Sequence, residues 1–211
     1  MNTLVELLNP AASLNDTGSI YLPESTQFFS RSEWEEIERI ARSPELPWEK
    51  VVVGDADEPN DVYVARFITD VDRPRVVNDA LAQQMLPILT SERVVSYFEG
   101  ALDAEKLYVR RVQINRMETG SFIGLHLDQD SNPDYEISIV LQLGDDYQGG
   151  AFVVHRAEDD HRTYMTEYRS VLVSRCDLRH EVKRVEDGHR TTLVLFFSRD
   201  GGDNPRVRAA A

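Results

Sequence analysis

Between Leu107 and Ser198 the sequence is divided into many short strand-like runs, and no other feature limits the fold as strongly. The runs alternate apolar with polar residues or are apolar throughout, and turn-forming segments such as Asp-Ser-Asn-Pro and Glu-Asp-Gly separate them. Their bounds are 107–117, 121–127, 135–143, 151–155, 162–167, 170–174, 179–185 and 190–198. So many short strands in one continuous segment are typical of a β-sandwich or a β-barrel.

The segment before this strand-rich region predicts a mixture of helices and strands. A helix is expected from Ser32, because Ser-Glu-Trp-Glu has the pattern of a capping box. The other expected elements are strands over 49–53 and 62–68, a second helix after Pro74, and a third helix over 91–99 that stops at Gly100. We therefore predict a single domain with four parts: an irregular N-terminal arm (1–28) with one short strand, a helical and strand support region (29–106), a β core (107–198) and a C-terminal tail (199–211).

The charge and cysteine content exclude several classes of partner. The formal net charge is −14 and the sequence pI is about 4.7, so phosphate backbones and anionic lipids repel the chain. Neither nucleic acid nor a membrane is an expected partner, and no apolar run approaches the length of a membrane span. A single cysteine, Cys176, allows no internal disulfide and suits a reducing compartment. The N-terminus lacks a basic region followed by an apolar block, so we expect a cytoplasmic protein.

One pair of residues at a strand end has the chemistry of a metal site. In Gly-Ser-Phe-Ile-Gly-Leu-His-Leu-Asp (120–128), His126 and Asp128 are two residues apart and so project to the same side of a strand. Alone, this pair is weak evidence, because five histidines among so many acidic residues give about one such spacing by chance.

Two later residues strengthen the metal-site hypothesis. His180 lies near the start of the next-to-last predicted strand, and Arg190 opens the last strand ten residues later. Two histidines and one carboxylate form a facial triad, which leaves open positions on an octahedral non-haem Fe(II). An arginine held across a barrel can bind a distal carboxylate in bidentate fashion.

The order and spacing of these motifs resemble the iron(II)/2-oxoglutarate-dependent dioxygenases, and most closely their prolyl-4-hydroxylase-like branch. The shared pattern consists of Gly120–Asp128, the paired glycines Gly149-Gly150, His180 and Arg190, and it covers about 107–198. The resemblance implies an α+β, mainly β fold. Its catalytic core would be a double-stranded β-helix, jelly-roll or cupin-like, with the N-terminal helices packed on one sheet.

The resemblance also implies a role for each matching residue. His126, Asp128 and His180 would be the iron ligands, Arg190 would bind the C5 carboxylate of 2-oxoglutarate, and Thr192 would assist it from the same strand face. Fe(II), 2-oxoglutarate as cosubstrate and O2 would be required, with ascorbate as an optional reductant. The implied reaction is hydroxylation of an unactivated C–H bond with release of succinate and CO2.

The sequence departs from this branch at a position that concerns the cosubstrate. A tyrosine usually stands nine residues before the first iron ligand, where this chain has Met117, and Ala151 follows the paired glycines in place of an acidic or bulky residue. Strand parity offers Asn115 and Gln142, together with Met117, as the side chains that contact the cosubstrate. The alternative, in which the polar faces of these strands point to solvent, stays equally open, although buried polar groups would need partners.

Four arginines lie near the expected opening of the barrel, and one of them could hold a substrate carboxylate, although a surface charge is the commoner role for each. They are Arg111, Arg116, Arg175 and Arg179.

The leading functional hypothesis is an enzyme that hydroxylates a small molecule, such as an amino acid, a carrier-bound amino acid or a natural-product intermediate. The alternative is a hydroxylase of a peptide or protein side chain. Nucleic-acid demethylation is disfavoured by the acidic surface and by Phe196, which stands where the repair branch carries a second arginine. A barrel that binds without catalysis is disfavoured by the intact triad and Arg190. The protein is expected to be a monomer or a homodimer.

Overall fold

The computed structural model describes residues 10–55 and 57–208. The helices are α1 (Pro10–Thr17), α2 (Arg31–Ala41), α3 (Asp79–Leu89), α4 (Glu92–Leu102) and α5 (Pro205–Arg208), with 3-10 turns at Glu24–Thr26 and Asp128–Asp130. The strands are β1 (Ser19–Leu22), β2 (Glu49–Val53), β3 (Pro59–Asp70), β4 (Pro74–Val76), β5 (Tyr108–Glu118), β6 (Phe122–His126), β7 (Tyr135–Gln142), β8 (Tyr147–Gly149), β9 (Phe152–Ala157), β10 (Asp160–Tyr164), β11 (Val171–Arg175), β12 (Arg179–Val182) and β13 (Val185–Ser198).

The strands form two facing antiparallel sheets joined at β3. The main sheet has the order β1-β11-β7-β13-β5-β3, and the second sheet continues as β6-β12-β9-β10. Strand β3 belongs to both sheets, because it pairs with β5 and, through Asn60 and Asp61, with β6. This curled arrangement is a double-stranded β-helix, so the predicted fold class is confirmed.

Strand β13 shows how sequence alternation builds two separate apolar layers. Leu193, Leu195 and Phe197 face a core that they share with the buried faces of α2, α3 and α4. Val194 and Phe196 face the opposite way, into the space between the two sheets. The period of two along a strand makes this division possible. The helices therefore cover the outer face of the main sheet and leave its inner face for a site.

Helix α2 is amphipathic, and its N-cap lies two residues before the predicted cap. Its cap is Ser30, whose side chain accepts from the backbone N–H of Glu33 while the Glu33 carboxylate accepts from the N–H of Ser30. The predicted cap at Ser32 is therefore wrong, because the same Ser-x-x-Glu spacing occurs twice in succession. Trp34 and Ile37 lie on the buried face, as the periodicity indicates.

The N-terminal arm is not irregular over its described part. Helix α1 packs against α4 through a face that includes the buried Leu14, and β1 pairs with β11 at the edge of the main sheet. Residues 1–9 of the predicted arm lie outside the described residues. The polar run Asn-Asp-Thr concealed α1, because these side chains favour caps and turns over helix interiors.

Two further boundaries differ from the prediction. Helix α4 continues past Gly100 to Leu102 and ends at Asp103, which adopts a left-handed φ of 47°. Strand β13 begins at Val185, so Arg190 lies inside the strand and not at its start. Its additional residues pair with β8, a strand in a segment predicted as a turn. Within the described part of the chain, no helix is long and apolar enough to cross a membrane.

A buried ion pair fixes the end of the main sheet next to the loop that follows Asp128. Arg110 and Asp70 are fully buried and form two hydrogen bonds of 3.0 and 3.1 Å. Asn132 donates to the Asp70 carboxylate, and Asn204 of the tail donates to the backbone oxygens of Asp70 and Ser131. These bonds connect β3, β5, the loop and the tail. They satisfy charges that would otherwise be costly to bury.

Candidate active site

His126, Asp128 and His180 come together at one end of the second sheet. His126 is the last residue of β6, and its Cα is paired with that of His180 in β12. Asp128 opens the 3-10 turn that follows β6. One potential ligand atom from each residue lies within 4.8 Å of the others. Strand pairing thus brings the two histidines together, and the turn adds the carboxylate.

Backbone hydrogen bonds determine which ring nitrogens of the histidines face the centre. His126 Nδ1 lies 2.8 Å from the Gly124 oxygen and His180 Nδ1 lies 3.1 Å from the Leu178 oxygen. A carbonyl only accepts, so each Nδ1 carries a proton, and Nε2 is the nitrogen of each ring that is left to bind a metal ion. Both Nε2 atoms lie 3.5 Å from an Asp128 carboxylate oxygen. This arrangement orients imidazoles as metal ligands are oriented in proteins.

The electrostatics of the triad are dominated by the carboxylate. Burial disfavours a charged His126, but Asp128 outweighs this effect and raises the pKa of the imidazole to about 9. Burial also favours a neutral Asp128, yet the two histidines lower its pKa to about 2. For His180, burial prevails and lowers the pKa. At neutral pH the carboxylate is ionised, and the proton on His126 Nε2 is the one that a bound metal ion would displace.

The donor set fits a divalent iron ion. Asp128 is almost fully buried, and its Oδ2 has no hydrogen-bond donor among the described residues. A buried carboxylate oxygen without a donor is costly unless a cation takes the place of that donor. Two imidazole nitrogens and one carboxylate oxygen are the ligands of non-haem Fe(II) sites with open positions.

A single cavity of about 430 Å³ connects the triad to the inner face of the main sheet. This volume lies in the range of small-molecule sites. Among the residues that line it are His126, Asp128, His180, Arg190, Thr192, Asn115, Gln113, Ser138, Val194, Phe196, Arg111 and residues 49–55 of β2 and the following turn. The polar side chains of Gln113 and Asn115 on β5 and of Ser138 on β7 therefore point into the cavity.

Arg190 is a buried cation without an acidic partner. It is 2% exposed, and among the described residues its Nε has no hydrogen-bond partner and no carboxylate forms an ion pair with it. Its guanidinium contacts Met117 Sδ at 3.8 Å and Thr166 Oγ1 at 3.4 Å. Burial lowers the pKa of Arg190, an effect that Tyr147 opposes. A guanidinium desolvated in this way is matched by a carboxylate that enters from the cavity.

The predicted cosubstrate residues occupy two different positions. Thr192 and Asn115 are paired across β13 and β5, and both line the cavity. Met117 and Gln142 are fully buried and do not line it. The Gln142 amide donates to the backbone oxygens of Gly144 and Thr191, and its oxygen accepts from Thr166. Gln142 and Met117 thus lie behind Arg190, one through Thr166 and the other by direct contact.

Sequence reasoning missed the two residues that complete the surroundings of Arg190. Tyr147 donates to the Thr166 backbone oxygen at 2.7 Å, and Thr166 contacts both Arg190 and Gln142. No local pattern marks either residue, because their meeting depends on the path of two loops. Gly150 is the one local signal. It has a φ of +63°, and a Cβ there would lie 2.9 Å from Arg190 Cδ, so only glycine leaves the arginine in place.

Of the four arginines predicted near the opening, Arg111 alone lines the cavity. Its Nη2 lies 2.8 Å from Asp55 Oδ2, and Ser131 Oγ donates to the same oxygen at 3.1 Å. Asp55 belongs to the turn between β2 and β3, so these contacts hold that turn over the mouth of the cavity.

The comparisons with known proteins agree with this geometry. The sequence profile of the 2OG-Fe(II) oxygenase superfamily matches residues 112–198. The crystal structure of an oxidoreductase of the 2OG-Fe(II) oxygenase family from Burkholderia pseudomallei is 39% identical, with a TM-score of 0.85 over 93% of this chain and 92% of that chain. No curated protein matches the chain.

Two more distant structures share the fold. A prolyl-4-hydroxylase from Pseudomonas putida is 15% identical, with a TM-score of 0.67 over 94% of this chain and 100% of that chain. SnoN, a non-haem α-ketoglutarate-dependent epimerase from nogalamycin biosynthesis, is 13% identical, with a TM-score of 0.67 over 89% of this chain and 80% of that chain.

Proposed function

Because this chain belongs to the 2OG-Fe(II) oxygenase family, we propose that it hydroxylates an unactivated C–H bond of a small molecule. It is a 2-oxoglutarate-dependent non-haem iron dioxygenase and uses Fe(II), 2-oxoglutarate and O2. When bound together, iron and 2-oxoglutarate activate O2, with decarboxylation of the cosubstrate to succinate and CO2. Amino acids, carrier-bound amino acids and natural-product intermediates are the substrate classes that we consider.

In this proposal the triad holds the iron. His126 and His180 bind through Nε2, because backbone carbonyls occupy both Nδ1–H groups. Asp128 binds through a buried oxygen that lacks any described hydrogen-bond donor. The surrounding apolar residues of the inner core, such as Phe152, which stacks on His180, exclude water from the ligands.

Arg190 binds the distal carboxylate of 2-oxoglutarate in this proposal, with Thr192 and Asn115 beside it on the cavity wall. The observation that carries the proposal is this fully buried, unpaired arginine, which shares one cavity with a compact His-Asp-His group. Met117, Thr166 and Tyr147 contact the guanidinium, and Arg190 also lines the cavity. Gln142 acts indirectly, through Thr166.

Anaerobic titration of the protein with Fe(II) and 2-oxoglutarate tests the assignment. We expect a visible metal-to-ligand charge-transfer band that saturates at one equivalent of each. Its absence would refute the proposed site. A screen of small molecules for succinate release coupled to a product 16 mass units heavier would then identify the substrate class.

A hydroxylase of peptide or protein side chains is the second candidate, and one observation favours it. Val52 and Val53 in β2 are 59% and 58% exposed and line the mouth of the cavity, as an apolar surface for a bound peptide would. Proline-containing peptides with blocked termini discriminate between the two candidates. Their turnover, without turnover of any small molecule, would favour peptide hydroxylation.

A further inference from the structure

Arg111 is a second arginine in the wall of the cavity, distant from Arg190. It is paired with Phe196, which lies six residues after Arg190 along β13. At about 3.4 Å per residue, the two positions are roughly 20 Å apart along the inner face of the sheet. Arg190 is buried at the inner end, whereas the Arg111 side chain is 17% exposed near the residues of β2. One arginine therefore serves the interior and the other faces the mouth.

The level of Arg111 along the barrel corresponds to that of the triad. Phe196 is paired with Arg111 on one side and with Ser138 on the other. Ser138 in turn lies beside the Asp128 carboxylate, and Ser131, which shares Asp55 with Arg111, follows Asp128 by three residues. A molecule that contacts Arg111 is consequently close to the metal ligands.

The Arg111 guanidinium retains unused donors. Among the described residues, Asp55 is its one hydrogen-bond partner, through Nη2, and its Nε is buried without a partner. The Arg111 Cζ lies 5.9 Å from the centre of the Phe196 ring, which is within the range of a cation–π interaction. A guanidinium that has an unsatisfied, desolvated N–H and only one nitrogen bonded to an acceptor is suited to bind a carboxylate.

The other charged groups of the mouth restrict what else the ligand carries. Together with Arg111, the cations Lys50 and Arg66 line the cavity at this end, and three carboxylates balance their formal charge. The carboxylates are Glu49, Asp55 and Glu58. A balanced set of charges gives a phosphate dianion no net attraction, whereas a zwitterion can meet charges of both signs.

On this basis, and resting on the proposed function, we propose that the substrate carries a free carboxylate that binds Arg111, and that a free amino acid is the matching class. In a carrier-bound thioester or an internal peptide residue, the α-carboxyl group is already bonded and cannot supply this carboxylate. The inference therefore selects one of the substrate classes named above and opposes the peptide alternative.

The test is a binding comparison on the protein loaded anaerobically with Fe(II) and 2-oxoglutarate. Each of the common L-amino acids is paired with its own carboxamide, and binding is measured by calorimetry and by the shift of the charge-transfer band. We expect at least one acid to bind about tenfold or more tightly than its amide, because one charge-assisted hydrogen bond accounts for a difference in affinity of this size. The corresponding acids without the amino group should bind more weakly than the amino acids.

Arg111→Gln should reduce the preference for acid over amide to about twofold or less, while the charge-transfer band with 2-oxoglutarate is kept. Arg111→Lys, which retains the charge without the fork, should retain part of the preference. Arg116→Gln is the matched control, because Arg116 lies on β5 outside the cavity and forms its ion pair with Glu118. This control should bind acids as the wild type does.

Three results would overturn the inference: no acid binds more tightly than its amide, including no binding at all; the preference survives in Arg111→Gln; or Arg116→Gln loses it equally. The wild-type comparison decides even when a variant does not fold. Absence of the charge-transfer band in the wild type is a different result, since it contradicts the proposed function itself.

Discussion

At the scale of single residues, the two histidines depend on the hydrogen bonds of their other ring nitrogens. Gly124 and Leu178 provide carbonyl acceptors two residues before each histidine, so each imidazole is oriented by its own strand. The same short-range geometry places Nε2 of both rings against Asp128. Substitution of the carboxylate should therefore affect the metal and leave the imidazoles in place.

Asp128→Ala should abolish iron retention and turnover, because removal of one of three ligands leaves a neutral pair of imidazoles. Iron content after desalting and succinate release measure the two effects. Asp130→Ala is the matched control, since Asp130 is an exposed carboxylate in the same 3-10 turn. Iron retention in Asp128→Ala equal to that of the control would contradict the assignment.

Arg190→Ala should raise the 2-oxoglutarate concentration needed for half-saturation about tenfold or more, because a desolvated charge-assisted contact is lost. Iron binding should be largely unchanged, since Arg190 does not contact the triad. The charge-transfer band, titrated with 2-oxoglutarate at fixed Fe(II), separates the two effects. An unchanged cosubstrate affinity would exclude Arg190 from this role.

The iron-ligand candidates could be predicted from sequence because each rests on short-range rules. His126 and Asp128 follow from strand parity and an adjacent turn, and His180 and Arg190 follow from spacing on predicted strands. Thr166 and Tyr147 could not be predicted, because they reach Arg190 through loops whose paths no local pattern specifies. The resemblance to the dioxygenase family indicated the role of each site residue. Strand parity indicated which side chains face the inside of the barrel.

At the scale of elements, the ends of β3 and β5 are held by the buried Arg110–Asp70 pair. Asp70→Asn should destabilise the protein by about 3–5 kcal/mol, because it leaves an uncompensated buried guanidinium. Urea denaturation monitored by fluorescence measures the change in unfolding free energy. Asp72→Asn is the control, as the Asp72–Arg75 pair is exposed and its loss should have a much smaller effect. Equal effects of the two substitutions would contradict the argument.

The bounds of elements were predicted less well than their existence. Most strands of the core were predicted because apolar and polar residues alternate along them. Strand β8, in contrast, lies within a turn-rich segment and pairs only with the early part of β13. Helix α1 escaped prediction because tertiary packing against α4 outweighs its weak intrinsic preference. Both cases reflect contacts between distant segments, which local patterns do not record.

At the scale of the whole molecule, a largely buried ion pair connects the helical layer to the barrel. Glu38 of α2 accepts hydrogen bonds from Arg169, which precedes β11. Burial alone would raise the pKa of Glu38, but Arg169 lowers it below the ordinary value of 4.5. A lowered pKa in the folded state means that the pair stabilises the fold above pH 4.5, and that this contribution is lost as the pH falls through the folded pKa.

Glu38→Gln should therefore cost about 2 kcal/mol of unfolding free energy at pH 7, and the difference from the wild type should shrink as the pH falls below 4.5. Chemical denaturation at several pH values measures it. Glu35→Gln on the same helix removes an exposed pair with Arg31 and should have an effect below about 0.5 kcal/mol at every pH. A difference for Glu38→Gln that grows in acid would contradict the linkage.

The unpaired guanidinium of Arg190 has a consequence for the lifetime of the protein in a cell. The folded chain carries this desolvated cation whether or not a carboxylate is present, so every molecule that binds there selectively protects the native state. At a ligand concentration of 100 times Kd, such protection amounts to about 2.7 kcal/mol. With Arg190 as the cosubstrate anchor, the resistance of the folded protein to proteolysis should rise with the concentration of 2-oxoglutarate.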